Sequence, residues 1–322
     1  MLRFVLRRLG AAVLLLFLVL TLIFGMLHLV PGDPFAGTPD EPLRREAKIR
    51  LIHTYGLDRP LPEQYARWLG AVVLHGDWGT SFAEQRPALA MVTEALPATL
   101  LLAGAALLIE YGLGLALGVA AARRAGSLLD RSIRIGSLVL LSQPVFWICL
   151  MAILVFSYWL RWLPASHLHS VGADDMGAGA RWLDVARHLV LPALTLGVPA
   201  AGAAARFVRA SMLDVMGRDF IRTARAKGLS ERRVLWVHGV RATLVPVVQL
   251  LGMSAPGLLS GALITEIVYS WPGIGRITYN AILGRDYPVV LATTAFSAIV
   301  VVVCTLAADL LHAVVDPRVR DA

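Results

Sequence analysis

The sequence predicts an all-α membrane protein with six transmembrane helices. Of its 322 residues, 57% are hydrophobic and 16% are charged, and the mean hydropathy is +0.68. An average soluble domain has roughly 45–50% apolar and about 25% charged residues, so a soluble protein of this length would keep a largely apolar surface. Six long apolar segments are the second observation, and lipid permits such spans only as helices. The two cysteines lie in apolar runs, which excludes a disulfide framework.

The first three segments each reach the length of about 20 apolar residues that a membrane helix needs. The first has no charge over 22 residues, which exceeds the roughly 7–15 residues of a signal-peptide core, so we predict a retained helix. The second contains Glu110, and the third is interrupted by Gln143 and Pro144, where we expect a kink. These three spans are residues 9–30, 98–122 and 135–160.

The last three segments carry more polar features. The fourth is short and contains Pro192 and Pro199, the fifth holds Glu266 near its end, and the sixth holds Asp309. They are residues 189–205, 244–268 and 289–315.

The charges divide unevenly between the two sides that six spans define. The face carrying both termini and residues 123–134 and 206–243 has a net charge of +12, and the opposite face has −1. Because Lys and Arg concentrate on the cytoplasmic side, we expect cytoplasmic termini. This orientation accounts for the formal net charge of +8, so the basic excess does not call for a nucleic-acid partner.

The predicted organisation has four parts. Residues 1–30 form the cytoplasmic N-terminus and first helix, and residues 31–97 are long enough for an external subdomain. Residues 98–315 form a five-helix core that contains the cytoplasmic loop 206–243, and residues 316–322 are a cytoplasmic tail.

Familiar catalytic motifs are missing from the sequence. It contains no phosphate-binding G-x-x-x-x-G-K-[ST] loop, no H-E-x-x-H and no Cys/His cluster with metal spacing. His167 and His169 have a possible ligand spacing, but an exposed pair in an outer loop is more often not a metal site. We therefore predict neither a catalytic residue nor a cofactor or metal ligand in this chain.

The loop 206–243 is the most informative stretch. Gly217 should end the preceding helix, and residues 218–227 should form a short helix with Asp219 in its first turn and Lys227 in its last, as the helix dipole favours. Gly228 suits a left-handed C-terminal position followed by Leu229, and Ser230 can cap the next helix. On local grounds the segment is either presented to a partner or is a basic helix lying on anionic lipid.

The same loop resembles the coupling loop of binding-protein-dependent ABC importer permeases, and more narrowly that of the B-type permease of the dipeptide/oligopeptide/nickel group. Other motifs of that group follow in order, so the resemblance covers essentially the whole chain. The matching segments are residues 6–8, 31–34, 56–60 with Gln64 and Tyr65, 76–81, 143–147, 219–233 with His238, Arg241 and Pro246, 266–275, 286–288 and 316–318.

The resemblance implies a type I ABC importer permease fold with an N-terminal helix and a five-helix core. It implies a transport subunit of the bacterial inner membrane that forms half of a pathway for di- or oligopeptides, without catalysing a covalent reaction itself. The partners would be a homologous second permease, two ABC ATPase subunits that hold ATP and Mg²⁺, and an external solute-binding protein, besides membrane lipid. Nickel or a nickel chelate is the alternative solute.

The residues that the resemblance assigns to ATPase coupling lie in the short helix and just after it. In the wider family this segment begins Glu-Ala-Ala, and by the spacing to Gly228 those positions are Arg222, Thr223 and Ala224, so the glutamate is absent. The later family proline falls on Arg241. The predicted coupling residues are Asp219, Arg222, Thr223, Ala224, Lys227, Gly228, Leu229 and Ser230.

Four residues are candidates for the translocation pathway or its gate. Glu110 lies in mid-span and either lines the pathway or pairs with another helix. Glu266 precedes Trp271 at the outer end of the fifth span, where a polar rim or outer gate is favoured over simple interfacial exposure. Gln143 stands at the predicted kink. For Asp309, pairing with loop arginines is favoured over substrate contact.

Two other classes of protein compete with this interpretation. A stand-alone secondary transporter or channel would show paired inverted repeats with charges at the midplane, and Glu110 has no counterpart in the second half. A membrane-bound enzyme would require a clustered catalytic set.

Overall fold

We describe the fold from a computed structural model that covers residues 2–29, 49, 52–53, 56–259 and 262–315. Within these residues the regular elements are helical, apart from one isolated bridge between Thr80 and Pro87. Wider π-helical turns continue three helices, over Ala71–His75, Ile153–Trp159 and Val234–Val240. The helices are α1 Leu2–Leu29, α2 Leu61–Gly70, α3 Ala88–Arg123, α4 Leu128–Ser142, α5 Val145–Ala152, α6 Ala178–Met216, α7 Asp219–Ala226, α8 Glu231–Arg233, α9 Arg241–Leu259, α10 Leu263–Val268, α11 Ile274–Leu283 and α12 Tyr287–Val315.

The predicted all-α membrane fold is confirmed. Within the described residues five helices are long and apolar enough to cross a bilayer, and a sixth span is counted if the pair Leu128–Ser142 and Val145–Trp159 is taken together. That pair is bent by 101°, so the third predicted span is a broken helix and not merely a kinked one. Pro144 explains the break, because it lacks a backbone N–H and forces Gln143 out of the helical region, to φ −82° and ψ 138°.

The fourth span begins earlier than predicted. Helix α6 starts at Ala178, so residues 161–188, which lie between the third and fourth predicted spans, end in a helix. One tertiary contact steadies this early turn, because Asp184 accepts hydrogen bonds from the backbone N–H and the hydroxyl of Ser170, at 2.8 and 2.6 Å. The predicted tail 316–322, the motif at residues 31–34 and the Asp309 side chain lie outside what the structure describes.

The chain divides into two compact units. The first comprises Met1–Pro97 with Gly273–Ile299, and the second comprises Ala98–Pro272 with Val300–Ala322. The first unit has a core in which Val92 and Ala95 pack with Ile274 and Val289.

Helix α6 packs closely against two neighbours inside the second unit. A Cβ atom on Gly114 would lie 2.6 Å from the Ala204 Cβ, and one on Gly118 would lie 2.6 Å from the Val208 Cβ, so α3 approaches α6 nearly to backbone contact. On another side, a Cβ on Gly202 would meet Ser137 of α4 at 3.0 Å. The small residues therefore serve packing within this chain.

Candidate functional site

The short helix α7 is separated from α6 by a tight turn. Helix α6 ends at Met216, and α7 spans Asp219–Ala226, within the predicted range. Asp219 lies in its first turn and Arg225 in its last, which complements the helix dipole. The Thr223 hydroxyl donates a hydrogen bond to the Asp219 carbonyl at 3.0 Å, so this side chain satisfies a backbone group of its own helix.

Gly228 ends this helix in the predicted left-handed conformation, with φ of +76°. The Gly228 amide donates to the Arg225 carbonyl at 2.9 Å, and the Leu229 amide donates to the Ala224 carbonyl at 3.4 Å. No heavy atom lies within 4 Å of a Cβ built on Gly228. The glycine is therefore required by the backbone conformation, not by lack of space.

The faces of α7 differ sharply in exposure. Ile221 and Ala224 are buried and pack with Val234, beside Met216 and Leu229. On the opposite face, the side chains of Asp219 and Arg222 are 96% and 76% exposed. Of the predicted coupling residues, Ala224 is buried, Leu229 is half-buried, and the exposed ones are Asp219, Arg222, Thr223, Lys227, Gly228 and Ser230.

An ion pair joins α7 to the helix that follows it. The Arg225 Nε donates to the Glu231 Oε1 at 2.8 Å, and a second guanidinium nitrogen donates to Oε2 at 3.3 Å. This hydrogen bond and charge raise the pKa of Arg225 above its usual value. Ser230 occupies the expected position before α8, but its side chain makes no capping hydrogen bond.

Two methionines near the end of α6, Met212 and Met216, pack against the segment that follows α7. A Cβ on Gly239 would lie 3.1 Å from the Met216 Sδ, so Gly239 packs directly against this side chain of α6. The Thr243 hydroxyl lies 3.0 Å from the Met212 Sδ and from the Gly239 carbonyl. Beside this contact lies a cavity of about 650 Å³, bounded in part by Arg225, Leu235 and Trp236. The geometry suits a rigid helix that presents a charged outer face to a partner.

Glu266 and Trp271 are both fully buried where the fifth predicted span ends. The Thr99 hydroxyl donates to the Glu266 Oε1 at 3.0 Å, and the Trp271 indole N–H donates to the Ala98 carbonyl at 2.8 Å. Both contacts join this end of the fifth span to the start of the second. The predicted rim residues thus hold two helices together in this conformation.

The other two candidate pathway residues lie elsewhere in the second unit. Glu110 is 5% exposed, and the adjacent Tyr111 hydroxyl lies 2.7 Å from that of Ser254. Gln143 is half-buried at the break between α4 and α5, and its amide lies 3.4 Å from the Val139 carbonyl. Neither is brought next to Glu266 by a described contact.

Within the described residues no cluster of three potential metal ligands occurs, and His169 lies 3.8 Å from Asp184.

Sequence reasoning did not single out Asp130 and Arg209. The Asp130 side chain is completely buried, and the Arg209 Nε donates to its carboxylate at 2.6 Å. The signal in the sequence was Ser127 three residues before Asp130, the spacing of an N-terminal helix cap. The partner 79 residues away carries no local signal.

Comparison with known families and proteins gives a consistent result. Residues 114–321 match the model of the binding-protein-dependent transport system inner membrane component, and residues 1–103 match its N-terminal companion. The chain is 36% identical to the oligopeptide transport system permease protein AppB of Bacillus subtilis, over 98% of this chain and 99% of that protein. It is 38% identical to the di/tripeptide transport system permease protein DppB of Pseudomonas aeruginosa and 36% identical to the dipeptide transport system permease protein DppB of Escherichia coli, each over 99% of both chains.

Proposed function

The chain belongs to the family of binding-protein-dependent transport system inner membrane components, and we propose that it carries di- or oligopeptides across the membrane as one permease subunit of an ATP-driven importer. The observation that carries this proposal is the capped helix α7, which keeps a buried face on its own chain and a charged face outward. The full-length relatives named for peptide transport support peptides as the solute.

The exposed face of α7 is the part of this chain that would meet the ATPase. Asp219, Arg222 and Lys227 are exposed and offer both signs of charge to that subunit. The ATPase would hold the ATP and Mg²⁺. A charged surface forms a polar interface that can separate and re-form. Ile221 and Ala224 then pass a displacement of α7 to Met216 and Val234.

A second, homologous permease would cover the break in the third span. Leu138, Val139, Phe146 and Trp147 on both sides of Gln143 are exposed by between 45% and 53%. Irregular backbone at membrane depth is tolerated only where protein covers it or where it lines a water-filled cavity. A pathway shared with a second subunit would cover the break and line it with water, and Gln143 would then lie beside the solute. Two ATPase subunits and an external solute-binding protein complete the proposed assembly.

The hydrogen bonds of Glu266 and Trp271 would close the outer end of the pathway in this conformation. Opening for the solute then requires Thr99 and Ala98 to separate from the fifth span.

The charge asymmetry of +12 against −1 supports cytoplasmic termini and a cytoplasmic α7.

Reconstitution into proteoliposomes tests the proposal. The chain would be assembled with the second permease, the ATPases and the binding protein of its transport system, and uptake of labelled dipeptide, tripeptide and Ni²⁺ would be measured with and without ATP. ATP-dependent peptide uptake is the expected result. If only Ni²⁺ is taken up, the solute is nickel and not peptide. Gradient-driven uptake by the chain alone would identify a secondary transporter.

A further inference from the structure

Asp130 lies in the first turn of α4, in the segment that joins the second and third spans. Its side chain is completely buried. The Ser127 hydroxyl accepts a hydrogen bond from the Asp130 amide at 3.3 Å, and the Gly126 amide donates to the carboxylate at 2.9 Å. The local fold therefore turns this carboxylate inward, although most acids in short connecting loops face solvent.

Arg209 of α6 binds both oxygens of this carboxylate. Its Nε donates to Oδ1 at 2.6 Å, and a terminal nitrogen donates to Oδ2 at 2.8 Å. A two-point contact of this kind fixes the orientation of the two helices as well as their separation. Arg134, one turn further along α4, adds a looser contact at 3.4 Å.

The position of Arg209 connects this ion pair to the coupling helix. Arg209 stands about two turns before Met216, where α6 ends. Met216 touches the buried face of α7, and Met212 lies in the cluster that also holds Val208 and Leu235. A displacement of α7 therefore reaches the part of α6 from which Arg209 projects.

We propose that Asp130 and Arg209 are positioning residues that transmit movement of α7 to the third span. The inference rests on the proposed coupling role of α7. Because α4 also packs closely on α6 where Gly202 meets Ser137, the ion pair and this contact together make α4 follow α6. The far end of α4 is the break at Gln143, so movement of the coupling helix arrives where we place the solute pathway.

The test compares Asp130→Asn and Arg209→Gln with a matched control pair. Asp214 and Arg218 form an ion pair at 2.7 Å near the same end of α6, but their side chains are 66% and 61% exposed. The reconstituted transporter is assayed for peptides taken up per ATP hydrolysed, at equal amounts of assembled complex. We expect at least a tenfold lower ratio for each variant of the buried pair, no further loss in the double variant, and ratios within twofold of wild type for Asp214→Asn and Arg218→Gln.

The number of peptides taken up per ATP distinguishes a positioning role of Asp130 and Arg209 from a purely structural one. A purely structural pair would lower the amount of assembled complex, while the fraction that assembles would couple normally, and that result would overturn the inference. If neither variant assembles, Arg209→Lys keeps the charge with a single-point contact, and we expect an intermediate ratio; a wild-type ratio would overturn the inference. A wild-type complex without ATP-dependent uptake would instead refute the proposed function.

Discussion

The Ser81 hydroxyl donates a hydrogen bond to the Asp286 carboxylate, across 205 positions of sequence. The amides of Phe82 and Ala83 donate to the same carboxylate at 3.1 and 3.2 Å, and both Ser81 and Asp286 are buried. This clasp fixes the loop before α3 onto the turn before α12 within the first unit. It also shapes a neighbouring cavity of about 310 Å³, whose wall includes Trp78, Phe82 and Tyr287.

Substitution Asp286→Asn should destabilise the protein. The amide has one acceptor oxygen in place of two, so a buried donor loses its partner, at a cost of about 1–3 kcal/mol. Thermal unfolding in detergent measures the effect as a lower Tm. Asp174→Asn is the control, because the Asp174 side chain is 95% exposed. Equal Tm values for the two variants would show that the clasp contributes nothing to stability.

Substitution Gly228→Val should abolish transport while the protein still inserts into the membrane. A β-branched residue at φ +76° is strained by about 1–3 kcal/mol, which is enough to reorient α7 but not to unfold the chain. Gly217→Ala is a matched control in the same loop, because Gly217 has φ −85° and its nearest neighbour would lie 3.5 Å from the new Cβ. Peptide uptake and ATPase copurification are compared at equal membrane levels, and normal uptake by Gly228→Val would contradict the coupling role.

Single-cysteine labelling should place the loop before α3 and the loop between α3 and α4 on opposite sides of the membrane. We expect a membrane-impermeant maleimide to label Glu84→Cys in intact cells and Ala125→Cys only after lysis, in a chain without Cys149 and Cys304. Both positions are exposed, whereas Ser81 is fully buried and would give no signal on either side. The opposite labelling pattern would invert the proposed topology.

Substitution Trp271→Phe should favour opening of the outer end. The six-membered aromatic ring is kept, but the pyrrole ring and its hydrogen bond to the Ala98 carbonyl are lost. Loss of about 1 kcal/mol corresponds to about a fivefold shift toward the open form, which we expect to raise ATP hydrolysis in the absence of binding protein. Trp182→Phe, at an indole that is 71% exposed, should leave this rate unchanged. An unchanged rate in Trp271→Phe as well would argue against a gate at this position.

The local features of the coupling segment could be predicted from the sequence, and the tertiary ones could not. Gly217, Asp219 and Gly228 act through the backbone within a few residues, so their spacing defines the ends of α7. Asp130 acts through Arg209, and a pairing over 79 positions depends on how helices pack. The same limit applies to Glu266, whose contact with Thr99 spans 167 positions.

Two helices differ from the sequence prediction: α6 starts earlier than expected, and the third span is broken. Helix α6 starts at Ala178, ahead of the long apolar run, and the contact between Asp184 and Ser170 holds its early turns. The third span breaks fully at Gln143 because Pro144 removes a helical hydrogen bond. A proline in a sequence indicates where a helix bends, but neighbouring contacts determine by how much.

The break at Gln143 also has a consequence for how the protein is made. Leu128–Ser142 has 15 residues and Val145–Trp159 has the same number, so each half spans about 22 Å, less than the roughly 30 Å of the hydrocarbon core. Neither half crosses the bilayer alone, and we expect the insertion machinery to accept both as one unit. A newly inserted copy without the proposed second permease would then leave the break at Gln143 uncovered in lipid. If that assembly holds, its lifetime in the cell should depend on balanced synthesis of the two permeases.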